Sequence, residues 1–298
     1  MAAINTYATL AEIKAYLTAA GQTLTTDAAD DAVIEKLLES ASRYIDEMTG
    51  ERSFYPRVET RYYSIPESYG DTIWIDGVQR SSKNARELVV DDDLLEVISI
   101  TNGDATSVTS AQYDLVPKNI YPKFAIRLKS SVSIVWEDDS SGNIEDVIAV
   151  TAIWGYHDRY AQRGWTSGGT LGAAITTNSA LTFTMSSGHS LVVGQVVKID
   201  NELFNVSGVS SNTITVPKRG DNGSTAVTHS NGATVYVWQT QHDIREICLE
   251  MARNLYKSRF GENAEVVSTI TAAGVVVTPR ALPSWGKDVL EKYRKVIV

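Results

Sequence analysis

The residues with the most obvious capacity for chemistry are four histidines, one cysteine and two runs of aspartate. His157, His189, His229 and His242 are scattered, with no pair four apart, so no local zinc-binding pair is formed. Cys248 falls on the apolar side of a helical pattern, where a free thiol behaves as a small hydrophobe, and it reads as core rather than nucleophile. Asp91-Asp92-Asp93 and Asp138-Asp139 lack the alternating oxygen ligands and central glycine of a calcium loop. Both lie between predicted strands and read as solvated turns. Arg219-Gly220-Asp221 runs into Asn222-Gly223, a turn signal between strands. A G-x-x-x-x-G-K-[ST] phosphate loop, a G-x-S-x-G nucleophile elbow and an H-E-x-x-H pair are all absent. The expectation is a chain without catalytic residues, cofactor or metal, and not an enzyme.

Composition narrows the class. Hydrophobic residues make up 43% and charged residues 21% of the 298, near globular averages, so a folded core is expected rather than disorder. A single cysteine excludes an intrachain disulfide and suits a reducing compartment. The opening residues, MAAINTYATLAEIK, lack a basic stretch followed by an apolar run, and no segment reaches the roughly 18 apolar residues that span a bilayer. Synthesis and folding in the cytoplasm without membrane association are expected. Net charge is −9, so an extensive phosphate grip is not expected.

The elements that must position these groups change period along the chain. Thr9 to Ala20 predicts a short helix with the capping pair Thr9 and Glu12, and Asp27 to Thr49 a long one with Ile34, Leu37, Leu38, Ala41, Ile45 and Met48 at helical spacing, closed by Gly50. Short β-prone runs follow: Arg61 to Ile65, Thr72 to Ile75, Glu87 to Val90, Leu94 to Thr101, Tyr113 to Val116, Phe124 to Leu128, Ser131 to Trp136 and Val147 to Tyr156. From Thr170 to Trp238 the chain turns Ser-, Thr-, Gly- and Val-rich with only six charged residues, which suits a small all-β barrel or sandwich. Gln241 to Phe260 predicts a helix again, and Trp285 to Val296 a final short one. The fold class expected is α+β. Residues 1–168 and 239–261 would make a helical and β-rich core, 169–238 an inserted β domain, and 262–298 a C-terminal arm.

Several of these segments resemble one family. YATLAEIKAYL and DDAVIEKLLESASRYIDEMTGERSF resemble the N-terminal helical pair of tailed-bacteriophage head–tail connector (adaptor) proteins, whose long helix ends in a Y-I-x-x-x-T-G-R-x-F-like motif. Tyr44, Ile45, Thr49, Gly50, Arg52, Ser53 and Phe54 carry that ending, with Glu51 inserted. LVVDDDLLEVISITNGD, YDLVPKNIYPKFAIRL and VIAVTAIWGYH look like the β portion of larger members, and IREICLEMARNLYKSRFG resembles the C-terminal helix. Within the β segment, Gly194, Ile199, Asp200, Glu202, Arg219, Gly220, Asn222, Gly223, His229, Gly232 and Ala233 are similar to a small module of phage structural proteins; Ser224 replaces its Thr. Smaller connectors lack this module, so the resemblance implies no role for it.

The resemblance implies a structural virion protein of the neck between capsid and tail. It would form a homo-oligomeric ring, commonly of twelve copies, bound to the portal protein on one side and to tail completion or tail proteins on the other. Double-stranded DNA would pass through during packaging and ejection without specific binding. The residues expected to meet the portal lie in the C-terminal arm. Val275, Val276 and Val277 would add a strand to a neighbour's sheet edge. Trp285, Val289 and Tyr293 would fill a groove, and Lys292 and Arg294 belong to a basic stretch suited to an acidic partner. The competing expectation is a tail or baseplate accessory protein whose β module binds a host-surface glycan; exposed aromatics on the module would favour it, but Phe183, Phe204, Tyr236 and Trp238 all lie in or next to predicted strands.

Overall fold

The reciprocal cap that starts the first helix forms as the spacing predicts. Thr9 N–H donates to Glu12 Oε2 at 2.7 Å and Glu12 N–H to Thr9 Oγ1 at 3.3 Å. These contacts come from a computed structural model, which describes residues 4–19, 28–66, 72–75, 78–81, 85–260, 269–270, 276–277, 282 and 284–295. Helix α1 is Leu10–Ala19, α2 is Ala28–Met48, α3 is His242–Phe260 and α4 is Ser284–Lys292. Each presents one apolar stripe that needs a partner. Ile13 and Leu17 of α1, Ile34, Leu38, Ala41 and Ile45 of α2, Ile244, Ile247 and Met251 of α3, and Leu290 of α4 bury those stripes in one cluster.

A five-stranded antiparallel sheet lies beside the helices. Its strands are β1 (Arg57–Tyr63), β4 (Glu87–Thr101), β5 (Tyr113–Val116), β6 (Lys123–Leu128) and β7 (Ile148–Trp154), in the order β1-β7-β4-β6-β5. Strands β2 (Thr72–Ile75) and β3 (Val78–Ser81) form a separate hairpin. Two expectations fail here for identifiable reasons. Asp91-Asp92-Asp93 is no solvated turn: β4 runs through it with a register shift between Val89 and Leu94, and Asp92 and Asp93 are buried. Nearby cations make that burial tolerable, as shown below. Ser131 to Trp136 forms no strand, because side chains take its carbonyls. Arg86 donates to the oxygens of Lys129, Val132 and Ile134, and Asn102 to that of Val135.

The segment after β7 passes through one π-helical turn, Tyr160–Gly164, into β8 (Trp165–Thr170). It continues as β9 (Thr182–Thr184), β10 (Val196–Ile199), β11 (Glu202–Asn205), β12 (Gly208–Ser210), β13 (Thr213–Thr215) and β14 (Thr234–Trp238). These make a four-stranded sheet, β11-β10-β14-β8, and a three-stranded one, β12-β13-β9. Both sheets are open, so the expected barrel does not close. The chain leaves one sheet for the other at Val206 and Ser207, between β11 and β12. The two sheets share one core: Phe183 and Ile214 from the smaller meet Val197, Ile199, Phe204, Val235 and Val237 from the larger. β8 pulls the start of this unit back from residue 169 to Trp165. The chain enters at Trp165 and leaves at Trp238, which are register partners in β8 and β14.

A small cluster seals the junction, with Leu95 and Ile153 of the five-stranded sheet against Tyr160, Val196 and Trp238. The last strands, β15 (Thr269–Ile270) and β16 (Val276–Val277), pair with each other. The chain is thus mixed α and β with antiparallel sheets.

Candidate functional site

The residues carrying the T-G-R-x-F ending converge where α2 meets the sheet. Thr49 Oγ1 donates back to Ile45 O at 2.8 Å. Gly50 adopts φ +71°, and a Cβ there would lie 2.4 Å from Lys295 O, so both conformation and approach demand glycine. Arg52 Nε donates to Asp93 Oδ2 at 2.9 Å and its Nη1 to Tyr293 O at 2.7 Å, while its guanidinium lies 4.3 Å from the Tyr156 ring centre. Phe54 stands edge-on to Tyr7, Tyr156 and Tyr293. Beside them Asp92 takes ion pairs from Arg57, Arg61 and Lys295. Burial pushes its carboxyl upward, but Lys295, Arg57 and Arg61 outweigh that and hold it below the ordinary aspartate value. This arrangement binds structure together; it presents no reactive group to solvent.

The C-terminal segment is tied to its own subunit. Leu290 is fully buried among the helices, with Val289 and Tyr293 packed against the same cluster. Tyr293 Oη donates to Asp243 Oδ2 at 2.6 Å, and Lys295 N–H to Thr49 O at 2.7 Å. Over α4 the expected C-terminal arm is thus packed on its own subunit, its apolar stripe buried against the cluster formed with the other helices. Val289 and Tyr293, both partly buried, pack against the internal core. Val276 and Val277 pair with Ile270 and Thr269, and Val275 lies outside the described residues. Trp285 and Lys292 of α4, and Arg294 just past its end, remain exposed, with Trp285 Nε1 donating to Glu250 Oε2 of α3 at 3.3 Å.

A cleft of about 550 Å³ opens between the π turn and the start of α3. His157, Asp158, Arg163, His242, Asp243 and Tyr293 contribute to its lining. Two of the scattered histidines thus reach one cleft, which their sequence spacing does not reveal. Among the described residues no group of three or more His, Cys, Asp or Glu side chains is placed to hold a metal. Burial lowers the His157 imidazole, and the tyrosine hydroxyl of residue 293 is raised by burial and by Asp243. Cys248 is buried with its thiol pushed up to about 11, so it stays protonated and unreactive at neutral pH.

The motif residues of the β unit form a lock. Glu202 is fully buried and its carboxylate accepts from Arg219 Nε and Nη2, both at 2.8 Å, and from the N–H groups of Gly220 and Val227, both at 2.9 Å. The His229 ring nitrogens lie 2.8 Å from Asp200 Oδ2 and 2.9 Å from Glu202 Oε2. Burial alone would raise the Glu202 carboxyl; Arg219, the two amides and His229 outweigh it and hold it low. The Arg-Gly-Asp tripeptide is turn structure, with the Arg219 side chain only 4% exposed. Next to it, Asn222 O accepts from Val58 N–H at 2.8 Å and the Asn222 and Asn5 side chains exchange two 2.8 Å bonds. The unit is thereby fastened to β1 and to the N-terminal segment. Of the four aromatics in or next to the strands of this unit, Phe183, Phe204 and Trp238 are buried and Tyr236 is exposed.

No protein-family model matches the chain, and a comparison with curated proteins finds no match.

Proposed function

We propose that the chain is a structural subunit of a bacteriophage neck, a head–tail connector that docks on the portal as a homo-oligomeric ring of twelve copies. The observation that carries this reading is that the residues on which the resemblance rests act together. Thr49, Gly50, Arg52 and Phe54 join the long helix to the sheet, to Trp154-Gly155-Tyr156 and to the C-terminal segment: Tyr156 N–H donates to Ser53 O and Gly155 N–H to Asp93 O. Motifs that look weak one by one share one junction in space. The role is structural rather than catalytic. The β unit between Trp165 and Trp238 is an inserted domain whose two ends adjoin. Portal contact falls to the outer side of α4, at Trp285, Lys292 and Arg294, and DNA passes an acidic or neutral wall without being gripped. Tail completion or tail proteins would bind the opposite side.

The test is stoichiometry and place. Quantitative mass spectrometry of purified virions should give about a dozen copies per particle, as the resemblance implies for a sealed ring around one portal, and imaging should put them at the neck. Hundreds of copies, or a tail-tip location, would refute the reading. In solution, duplex DNA should bind weakly and without sequence preference at physiological salt; sub-micromolar affinity would contradict a non-gripping wall.

A further inference from the structure

Two features of opposite charge lie at the two ends of β7. The loop that leads into it, residues 137–146, holds Glu137, Asp138, Asp139, Glu145 and Asp146 and no basic residue. The turn that follows it, at the mouth of the cleft, carries Arg159 and Arg163. From these we infer that the cleft receives the acidic 137–146 loop of a second copy of the chain, as the head-to-tail contact of the ring. This deepens the connector reading and rests on it.

The loop has the shape of a ligand before any partner arrives. Asp139 Oδ1 accepts from Ser141 N–H at 2.8 Å and Asn143 N–H at 3.0 Å, and Asp139 N–H donates to Asn143 O at 3.0 Å. Ile144, whose carbonyl accepts from Ile65 N–H at 2.9 Å, is 49% exposed, an apolar contact among carboxylates. In the cleft the resident carboxylates are occupied. Asp243 accepts from Tyr293 Oη at 2.6 Å and Asp158 from Gln241 Nε2 at 3.0 Å. The rim cations are less committed. Arg163 forms no ion pair among the described residues, and Arg159 approaches Asp158 only at 3.9 Å with 65% of its side chain exposed. The cleft therefore has guanidinium groups to offer an incoming carboxylate.

Geometry decides which loop arrives. β7 has seven residues, Ile148–Trp154, and at roughly 3.3 Å per residue its two ends are about 20 Å apart. The loop cannot fold back into the cleft of its own subunit. A contact between different patches on identical chains is heterologous, and repeated with closure it makes a ring.

The experiment uses two full-length variants, Asp138→Arg/Glu145→Arg on the loop and Arg159→Glu/Arg163→Glu on the rim. All four side chains are solvent-facing, and circular dichroism confirms that each variant is folded. Association is followed by sedimentation and mass photometry at low and high salt. The parent should form salt-sensitive oligomers, and each variant alone should associate at least ~10-fold more weakly because like charges then face each other. An equimolar mixture should restore assembly, since each loop again meets a cleft of opposite charge. Parent-like association of either variant alone, or failure of the mixture, overturns the pairing and leaves the ring reading standing. A parent that stays monomeric throughout overturns both.

Discussion

Arg52 and Asp93 meet at 2.9 Å with side-chain exposures of 1% and 5%, joining the end of α2 to the middle of β4 across 41 residues of sequence. Neither charge can reach water, so the pair stands or falls together. Arg52 also holds Tyr293 O, which brings the C-terminal segment to the same point.

Arg52→Ala should therefore destabilise the chain by about 3–5 kcal/mol, because it takes the guanidinium away from a buried carboxylate. The double variant Arg52→Met/Asp93→Leu should be no worse than the single one, since it removes both charges and keeps apolar volume. Urea unfolding measures both. A single variant within about 0.5 kcal/mol of the parent, the usual range for an inert surface change, would show that the pair does not hold the junction.

Much of this was legible in the sequence, and the failures have a common cause. The helix periods, the Thr9–Glu12 cap, the need for Gly50 and the core position of Cys248 are local properties, and local patterns reveal them. Asp92 and Asp93 misled because a run of aspartates belongs in solvent unless cations surround it. Here the cations come from residues 57, 61 and 295 for one and 52 for the other, separations that no local pattern encodes. Trp165-Thr-Ser-Gly-Gly-Thr has little strand propensity of its own and becomes β8 because β14 pairs with it. The Glu202 lock was visible only as spaced motif letters; that Asp200, Arg219 and His229 all serve one carboxylate needed the turns between them.

The lock has a pH signature. Glu202 is held below its ordinary value in the folded chain. Its contribution is thus fully present above the unfolded glutamate value of about 4.3 and is lost as pH falls through the lower folded value. Stability of the β unit should hold steady from neutral pH to that range and then drop. Glu202→Gln should remove the acid-sensitive component and cost about 3–5 kcal/mol at pH 7, because Arg219 is left buried without its carboxylate. Asp200→Asn, at a 65% exposed carboxylate, should cost much less. Thermal melts across pH decide this; equal losses for the two variants would contradict the central place of Glu202.

Excising the β unit tests whether it is an insertion. Because Trp165 and Trp238 are register partners, a short Gly/Ser linker can replace 166–237 while keeping both. Keeping Trp238 matters, since its Nε1 donates to Phe54 O at 2.9 Å beneath the helices. The product should retain its helical circular dichroism but melt earlier, because Val58 N–H and the Asn5 side chain lose their partners on Asn222. Loss of the helical signal would mean that the two parts fold only together.

The two sides of α4 should separate stability from assembly. On the inner side Leu290 is fully buried, and Leu290→Ala should cost about 2–5 kcal/mol through the cavity it leaves. Deleting everything after Gly261 should be more damaging still, since Asp92 then loses Lys295 and Arg52 loses Tyr293 O. Truncation is therefore a poor probe of docking. On the outer side, Lys292 and Arg294 are exposed and enter no ion pair among the described residues. Lys292→Glu/Arg294→Glu should change stability by no more than about 0.5 kcal/mol, as for other surface positions. If this face meets an acidic portal surface, the same variant should lose co-sedimentation with purified portal rings, and the loss should be steepest at low salt, where unscreened charges act at longest range. Trp285→Ala should weaken binding without that salt dependence, because an aromatic anchor acts by burial. Full portal binding by the charge-reversed variant would place the docking surface elsewhere on the subunit.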